Sequence, residues 1–124
     1  MFNVNYQAGG RFDYPFYPTK TVPFIKGRRV PIDGDTKEDI YVVPYDMELV
    51  TVSIGASRYN DKDHWSLTVD GVLIFDSIYT KDVPEGFYFM VVREVKPGSE
   101  IVFKFNNDSG AYKTIWLNYQ FLKD

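Results

Sequence analysis

The stretch WSLTVDGVLIF, residues Trp65–Phe75, alternates apolar and polar side chains and then turns back at its central Asp-Gly pair. Successive side chains of an extended chain point to opposite faces, so Trp65, Leu67 and Val69 share one face. An Asp-Gly pair between two apolar runs is the strongest short-range signal for a two-residue β-hairpin. The stretch therefore predicts two antiparallel strands with one apolar face turned inward.

Short apolar runs separated by turn residues continue on both sides of this hairpin. None has the 3.6-residue period of an amphipathic helix. The sequence KPGS, residues 96–99, places proline and glycine at the centre of a turn and predicts a second hairpin. The further predicted strands are Tyr41–Val43, Leu49–Ala56, Phe87–Val92, Ile101–Phe105 and Thr114–Leu122. This pattern is typical of an all-β fold, a single antiparallel β-sandwich or jelly-roll-like domain.

The N-terminal part of the chain has a different composition. Residues Ala8–Gly34 include four prolines and four glycines, a content that suits neither a helix nor a central strand. We therefore expect residues 1–34 to form an N-terminal strand and an extended, irregular arm, and residues 35–124 to form the β-sandwich domain. The arm contains five aromatic residues: Phe12, Tyr14, Phe16, Tyr17 and Phe24. Aromatic rings in a segment without strand partners need a surface to pack against, either on the same domain or on a neighbouring subunit.

Composition excludes several classes of function. The chain has 14 Lys and Arg against 17 Asp and Glu, a net charge of -3, whereas nucleic-acid binders need clustered positive charge. The absence of cysteine excludes disulfides, thiolate zinc sites and thiol nucleophiles. No apolar run approaches the roughly 18 residues of a membrane span, and no signal peptide is recognisable at the N-terminus. We expect no nucleic-acid partner, no membrane insertion and no export signal.

His64 is the sole histidine, so any imidazole-based catalysis depends on it. It precedes the inward Trp65 and therefore points outward on its strand, which favours an exposed strand histidine. Most acidic residues lie in turns or beside lysines, where solubility and turn formation explain them. We predict that the protein is not an enzyme and has no catalytic residue.

Two acidic stretches are candidate metal sites. In DGDTKED, residues 33–39, Lys37 and Pro44 occupy positions where a calcium loop requires oxygen ligands. Asp61 and Asp63 lie in a loop where carboxylates and backbone carbonyls could meet a Ca²⁺ ion. The sequence predicts no metal site and no cofactor, and it leaves calcium binding by Asp61 and Asp63 open.

A candidate ligand surface lies on the last predicted strand. One face of this strand consists of apolar residues and is expected to point inward: Ile115, Leu117, Tyr119 and Phe121. Trp116, Asn118 and Gln120 then share the outer face. A tryptophan can stack on the apolar face of a sugar while amides bind its hydroxyl groups. These three residues are therefore the candidate ligand-binding set. Burial of Trp116 under the N-terminal arm or another subunit is the alternative, and simple exposure is the third.

A wider pattern of turns and anchors runs from Ile40 to Leu122. It consists of Tyr59, Asp63, Trp65, Asp70-Gly71, Ile78–Lys81, Pro84-Glu85-Gly86, Asn106, Gly110, Lys113 and Trp116. In these residues the chain resembles the YomS-like small β-sandwich virion-associated proteins, from the tail or baseplate of tailed phages and prophages of Gram-positive bacteria.

The resemblance implies a non-enzymatic phage virion structural protein, tail or baseplate associated, with a role in assembly or host-surface attachment. Its expected partners are other virion proteins or identical subunits, and its expected location is the virion, after synthesis in the host cytoplasm. A carbohydrate-binding module for cell-wall or surface glycan is the alternative, and a hydrolase is a distant one.

Overall fold

The computed structural model describes residues 18–124, which form eight β-strands. No helix long and apolar enough to cross a membrane occurs in this part of the chain. The strands are β1 Val22–Ile32, β2 Thr36–Val42, β3 Met47–Ala56, β4 His64–Val69, β5 Val72–Tyr79, β6 Glu85–Val95, β7 Glu100–Asn106 and β8 Lys113–Lys123.

The strands form two antiparallel sheets of four, with strand orders β1-β8-β3-β6 and β2-β7-β4-β5. The sheets pack face to face, so that β5 and β6 lie along one side of the sandwich and β1 and β2 along the other. Phe75 of β5 contacts Phe87 of β6, with ring centroids 5.4 Å apart, and Arg28 of β1 pairs with Asp39 of β2. The prediction of an all-β sandwich is confirmed.

Aromatic rings fill the space between the sheets. Trp65 is fully buried, and its ring lies 5.1 Å from Phe75, 5.8 Å from Phe87 and 5.7 Å from Phe103, measured between centroids. Leu67 and Val69, two and four residues further along β4, are also fully buried. The inward face predicted from alternation is therefore confirmed, and the core accounts for part of the chain's 18% aromatic residues.

The hairpin between β4 and β5 forms as predicted. Asp70 and Gly71 both have positive φ, 51° and 80°, and the flanking Val69 and Val72 pair directly. The Asp70 carboxylate also accepts a hydrogen bond from the Glu100 backbone N–H at 3.0 Å. The turn is therefore tied to β7 as well as to its own two strands.

The prediction of a second hairpin, around residues 96–99, is wrong. β6 pairs with β3 in the first sheet, whereas β7 pairs with β2 and β4 in the second. The predicted turn does form, with a hydrogen bond from the Ser99 N–H to the Lys96 carbonyl at 2.9 Å, but it crosses between the sheets. Gly98 and Ser99 hydrogen-bond to Val43, just after β2. A local turn signal cannot specify the sheet to which the following strand belongs.

The N-terminal segment is more regular than predicted. Val22–Ile32 forms a continuous edge strand that pairs with β8 along its whole length. The prediction of an irregular backbone is therefore wrong for these residues. Pro23 and Pro31 are tolerated because an edge strand has one side without a ladder partner.

The rest of the predicted arm is described only in part. Ahead of β1, the Thr19 and Lys20 N–H groups donate to the buried Glu48 carboxylate at 2.9 and 3.0 Å. Met1–Tyr17, with four of the five rings assigned to the arm, lie outside the described residues. The division of the chain at residue 34 stays a prediction.

Gly71→Ala should lower the free energy of unfolding by about 1 kcal/mol, because its φ lies in the region that a Cβ disfavours. Gly34→Ala is the matched control, since that glycine lacks a positive φ and has no atom within 4 Å of an added Cβ. Urea denaturation of both variants measures the difference. Equal losses would contradict the assigned turn.

Candidate functional site

The side of the sandwich formed by β5 and β6 exposes large apolar side chains. Both strands are the last in their sheets, so each has one edge without a strand partner among residues 18–124. Met90 is 90% exposed and Tyr88 is 79% exposed. We call the following set the β5–β6 edge: Val72, Leu73, Tyr88, Met90 and Val91. Natural proteins usually protect sheet edges with charge, proline or a covering segment, so an apolar edge indicates a contact surface.

A bulge shapes this edge. Leu49 pairs with Arg93 and Thr51 pairs with Tyr88, so the segment 89–92 of β6 stands opposite a single residue of β3. An open cavity of about 620 Å³ lies against the bulge, and its lining residues are Ile74 and 89–94. The Arg93 Nε atom is buried there and has no hydrogen-bond partner within residues 18–124. Bulges re-aim side chains and terminate strand pairing, which here leaves a mostly apolar recess at the edge.

Sequence reasoning did not identify the β5–β6 edge. A signal was present in Phe87–Val92, an unbroken run of six apolar residues that departs from strict alternation. Such a run also fits a strand buried on both faces, so its exposure depends on strand order, which the sequence does not specify.

The predicted outer face of β8 is present. Ile115, Leu117 and Tyr119 are buried, while Trp116 is 44% exposed on the opposite face. Asn118 is exposed and Gln120 is half-buried on that same outer face.

The neighbouring strands make this face a shallow depression. Trp116 lies between Arg29 of β1 and Gly55 of β3, and Asn118 lies between Gly27 and Ser53. The depression has a volume of about 450 Å³ and is lined by Gly27, Arg28, Arg29, Trp116, Leu117 and Asn118. The structure thus brings Trp116 and Asn118 together in one recess. A ligand role for these residues and for Gln120 stays a prediction.

A buried polar cluster lies at one end of the sandwich. We call it the Lys113 cluster: Asp63 just before β4, Asn107 just after β7, Ser109 in the following loop, and Lys113 at the start of β8. The Lys113 side chain is 0% exposed and that of Asp63 is 1% exposed. Lys113 Nζ donates to Asp63 Oδ2, to Asn107 Oδ1 at 2.7 Å and to Ser109 Oγ at 3.0 Å. A buried charge is tolerated when it is paired and hydrogen-bonded in this way.

Asp63 is held by several donors at once. Its Oδ1 accepts from the Ser109 N–H at 2.9 Å, and its Oδ2 accepts from the Ser109 hydroxyl at 3.1 Å. Burial alone would raise the pKa of Asp63, but the hydrogen bonds from Lys113 and Ser109 outweigh it, and the pKa lies below its ordinary value. The carboxylate is therefore ionised at neutral pH.

These contacts favour an ion pair over calcium binding at Asp63. Lys113 supplies the positive charge beside Asp63, while Asp61 lies exposed at the surface. Within residues 18–124, no three His, Cys, Asp or Glu side chains come together as a metal site. The contacts therefore indicate a buried ion pair.

His64 is half-buried, which differs from the expected exposed histidine. Its ring packs on Tyr79, with centroids 4.8 Å apart, because the two residues pair across β4 and β5. Polar groups near the ring are the Lys62 carbonyl at 3.5 Å and the Asp108 carboxylate at 3.6 Å. Neither is a hydroxyl group that the imidazole could deprotonate.

Removal of the Asp63 carboxylate should be costly, because it leaves the buried Lys113 amine without its charged partner. Asp63→Ala should lower the free energy of unfolding by about 3–5 kcal/mol. The control is Glu85→Ala, which breaks the Lys81–Glu85 pair whose lysine side chain is 72% exposed, at a cost below about 1 kcal/mol. Thermal and urea unfolding measure both effects. Similar losses in the two variants would count against the buried ion pair.

Comparison with known proteins finds a matching family and similar solved structures. A chain in the structure of the cyanophage Pam1 capsid asymmetric unit matches with a TM-score of 0.61 and 13% sequence identity. The match covers 99% of this chain and 100% of that chain, and at this identity it shows the fold alone. No curated protein sequence matches the chain.

The family model described as Domain of unknown function (DUF8551) matches residues 20–124. Neither match is described as a tail or baseplate protein, so that part of the YomS-like resemblance stays a prediction. Because the family match spans most of the chain, the chain belongs to the family Domain of unknown function (DUF8551).

Proposed function

We propose that this chain is a non-enzymatic structural protein of a phage virion. The observation that carries the proposal is the fold likeness to a chain of a phage capsid asymmetric unit, which spans both chains almost from end to end. The YomS-like resemblance of residues 40–122 supports the same class of function independently. A structural likeness and a sequence resemblance therefore support the same class of function.

The β5–β6 edge supports a role in assembly. Met90, Tyr88 and the neighbouring apolar side chains are exposed, next to two strand edges that have no strand partner among residues 18–124. Burial of apolar surface contributes roughly 25 cal/mol per Å², so covering this edge would stabilise an assembled state. Identical subunits or other virion proteins are the partners that this surface fits.

Two positions in the virion are distinguishable. The fold likeness favours the capsid, because the matched chain belongs to a capsid asymmetric unit. The YomS-like resemblance favours the tail or baseplate and a role in assembly or host-surface attachment.

Mass spectrometry of purified virions tests this proposal. The chain should be present in particles of the phage that encodes it, and separated heads and tails should show which part contains it. Met90→Asp should reduce incorporation into particles, because it places a charge in the apolar contact. Tyr112→Asp, at a 57% exposed aromatic in the β7–β8 loop, is the matched control and should be incorporated normally. A chain that stays in the soluble fraction of the lysate and never reaches particles would overturn the proposal.

Carbohydrate binding is the second candidate function, favoured by the half-exposed Trp116 ring in the recess beside Asn118. The ring would stack on the apolar face of a sugar from the cell wall or host surface, and the amides of Asn118 and Gln120 would bind its hydroxyl groups. This role is compatible with a virion position, because attachment proteins present ligand sites at the particle surface.

Trp116→Ala should weaken binding to cell-wall and surface glycans at least about tenfold, because the stacking surface is lost. A glycan array identifies the ligand, and titration calorimetry measures the affinity. Tyr112→Ala controls for nonspecific loss of an exposed aromatic ring. Unchanged binding by the Trp116 variant would place any sugar site elsewhere.

A further inference from the structure

The Lys113 cluster contains the three groups needed to form an amide bond between side chains. They are the amine of Lys113, the carboxamide of Asn107 and the carboxylate of Asp63. Lys113 Nζ lies 2.7 Å from Asn107 Oδ1 and also contacts Asp63 Oδ2. All three residues are buried, which shields the contact from bulk solvent.

The hydrogen bonds distinguish the electrophile from the proton carrier. Donors from Ser109 and Lys113 favour the ionised form of Asp63, and an ionised carboxylate resists attack by an amine. The Asn107 carboxamide is neutral and is held in place, since its Nδ2 donates to the Gly34 carbonyl at 2.9 Å and to the Ala111 carbonyl at 3.1 Å. Asn107 is therefore the group that the amine can attack.

We propose that Lys113 Nζ and Asn107 Cγ form an intramolecular isopeptide bond, with Asp63 as the proton carrier. Nζ, after passing a proton to Asp63, attacks Cγ, and the bond between Cγ and Nδ2 breaks. In total the Lys113 ammonium group loses two protons and the departing NH₂ group gains two, so that one ammonium ion is released. The reaction needs no oxidant, cofactor or second substrate.

The fold supplies the proximity that this reaction requires. Asp63 is fixed ahead of β4, Asn107 directly follows β7 and Lys113 begins β8, so their relative positions are set by three strands in both sheets. Fixed contact of two reacting groups in a buried site removes the entropic cost of bringing them together. The Phe105 ring, whose centroid lies 5.6 Å from Nζ, adds to the apolar surroundings of the cluster. The bond would join the two sheets at this end of the sandwich.

Mass spectrometry of the purified full-length chain tests the proposal. The intact protein should be lighter than its sequence mass by one ammonia molecule. Trypsin cannot cleave after an acylated lysine, so the digest should contain one peptide spanning 105–123 with the same mass deficit. Fragmentation should place the bond between Asn107 and Lys113.

Variants separate this bond from other losses of ammonia. Lys113→Arg and Asp63→Asn should both have the full sequence mass, the first because the amine is absent and the second because the proton carrier is absent. Lys104→Arg, at an exposed lysine on β7, is the matched control and should keep the deficit. Cyclisation of Asn107 with its own backbone also releases ammonia, but it would persist in Lys113→Arg and would leave Lys113 open to trypsin.

The wild-type mass decides the outcome without relying on the folding of any variant. A full sequence mass would overturn the proposal and leave a buried ion pair. Loss of one water molecule, with the bond mapped to Asp63, would overturn the assignment of Asn107 as the electrophile. The measurement uses isolated protein, so its result is independent of whether the chain is a virion component.

Discussion

The burial of Trp65 between the two sheets is the contact on which the rest of the fold depends. Its ring meets Phe75 from the neighbouring strand, Phe103 from the strand on its other side, and Phe87 from the opposite sheet. A chain without disulfides has to hold its sheets together mainly by such packing. With the sheets aligned around this ring, β5 and β6 come to lie side by side, and the apolar edge used in the proposed assembly follows from that arrangement.

The Lys113 cluster has a different energetic character. A buried lysine and aspartate bring a large desolvation cost, which their mutual contact and the donors from Ser109 offset. Such a cluster adds little net stability compared with apolar packing, yet it fixes the loop after β7 against the start of β4. This placement of an amine, a carboxamide and a carboxylate is what the reaction proposed for the cluster requires. The β5–β6 edge, in contrast, is proposed to act only through its shape and its apolar area.

Local patterns predicted most of the strands and the β4–β5 hairpin, because alternation and positive-φ turn residues act over a few positions. The same rules failed at Lys96–Ser99, where the turn formed but its strands separated into different sheets. They also failed at Val22–Ile32, whose prolines suggested irregular backbone until β8 provided a ladder. Asp63 was a candidate metal ligand on sequence grounds, because its partner Lys113 lies fifty residues away and no local pattern links the two.

The sequence by itself determined the all-β class, the inward face of β4 and the outward position of Trp116, since each depends on the two-residue period of an extended chain. Strand order, the exposed β5–β6 edge and the Lys113 cluster were decided by tertiary structure. The physical reason is that these features arise from contacts between residues far apart in the chain, and no local sequence pattern specifies which of those contacts the apolar packing of the sheets selects.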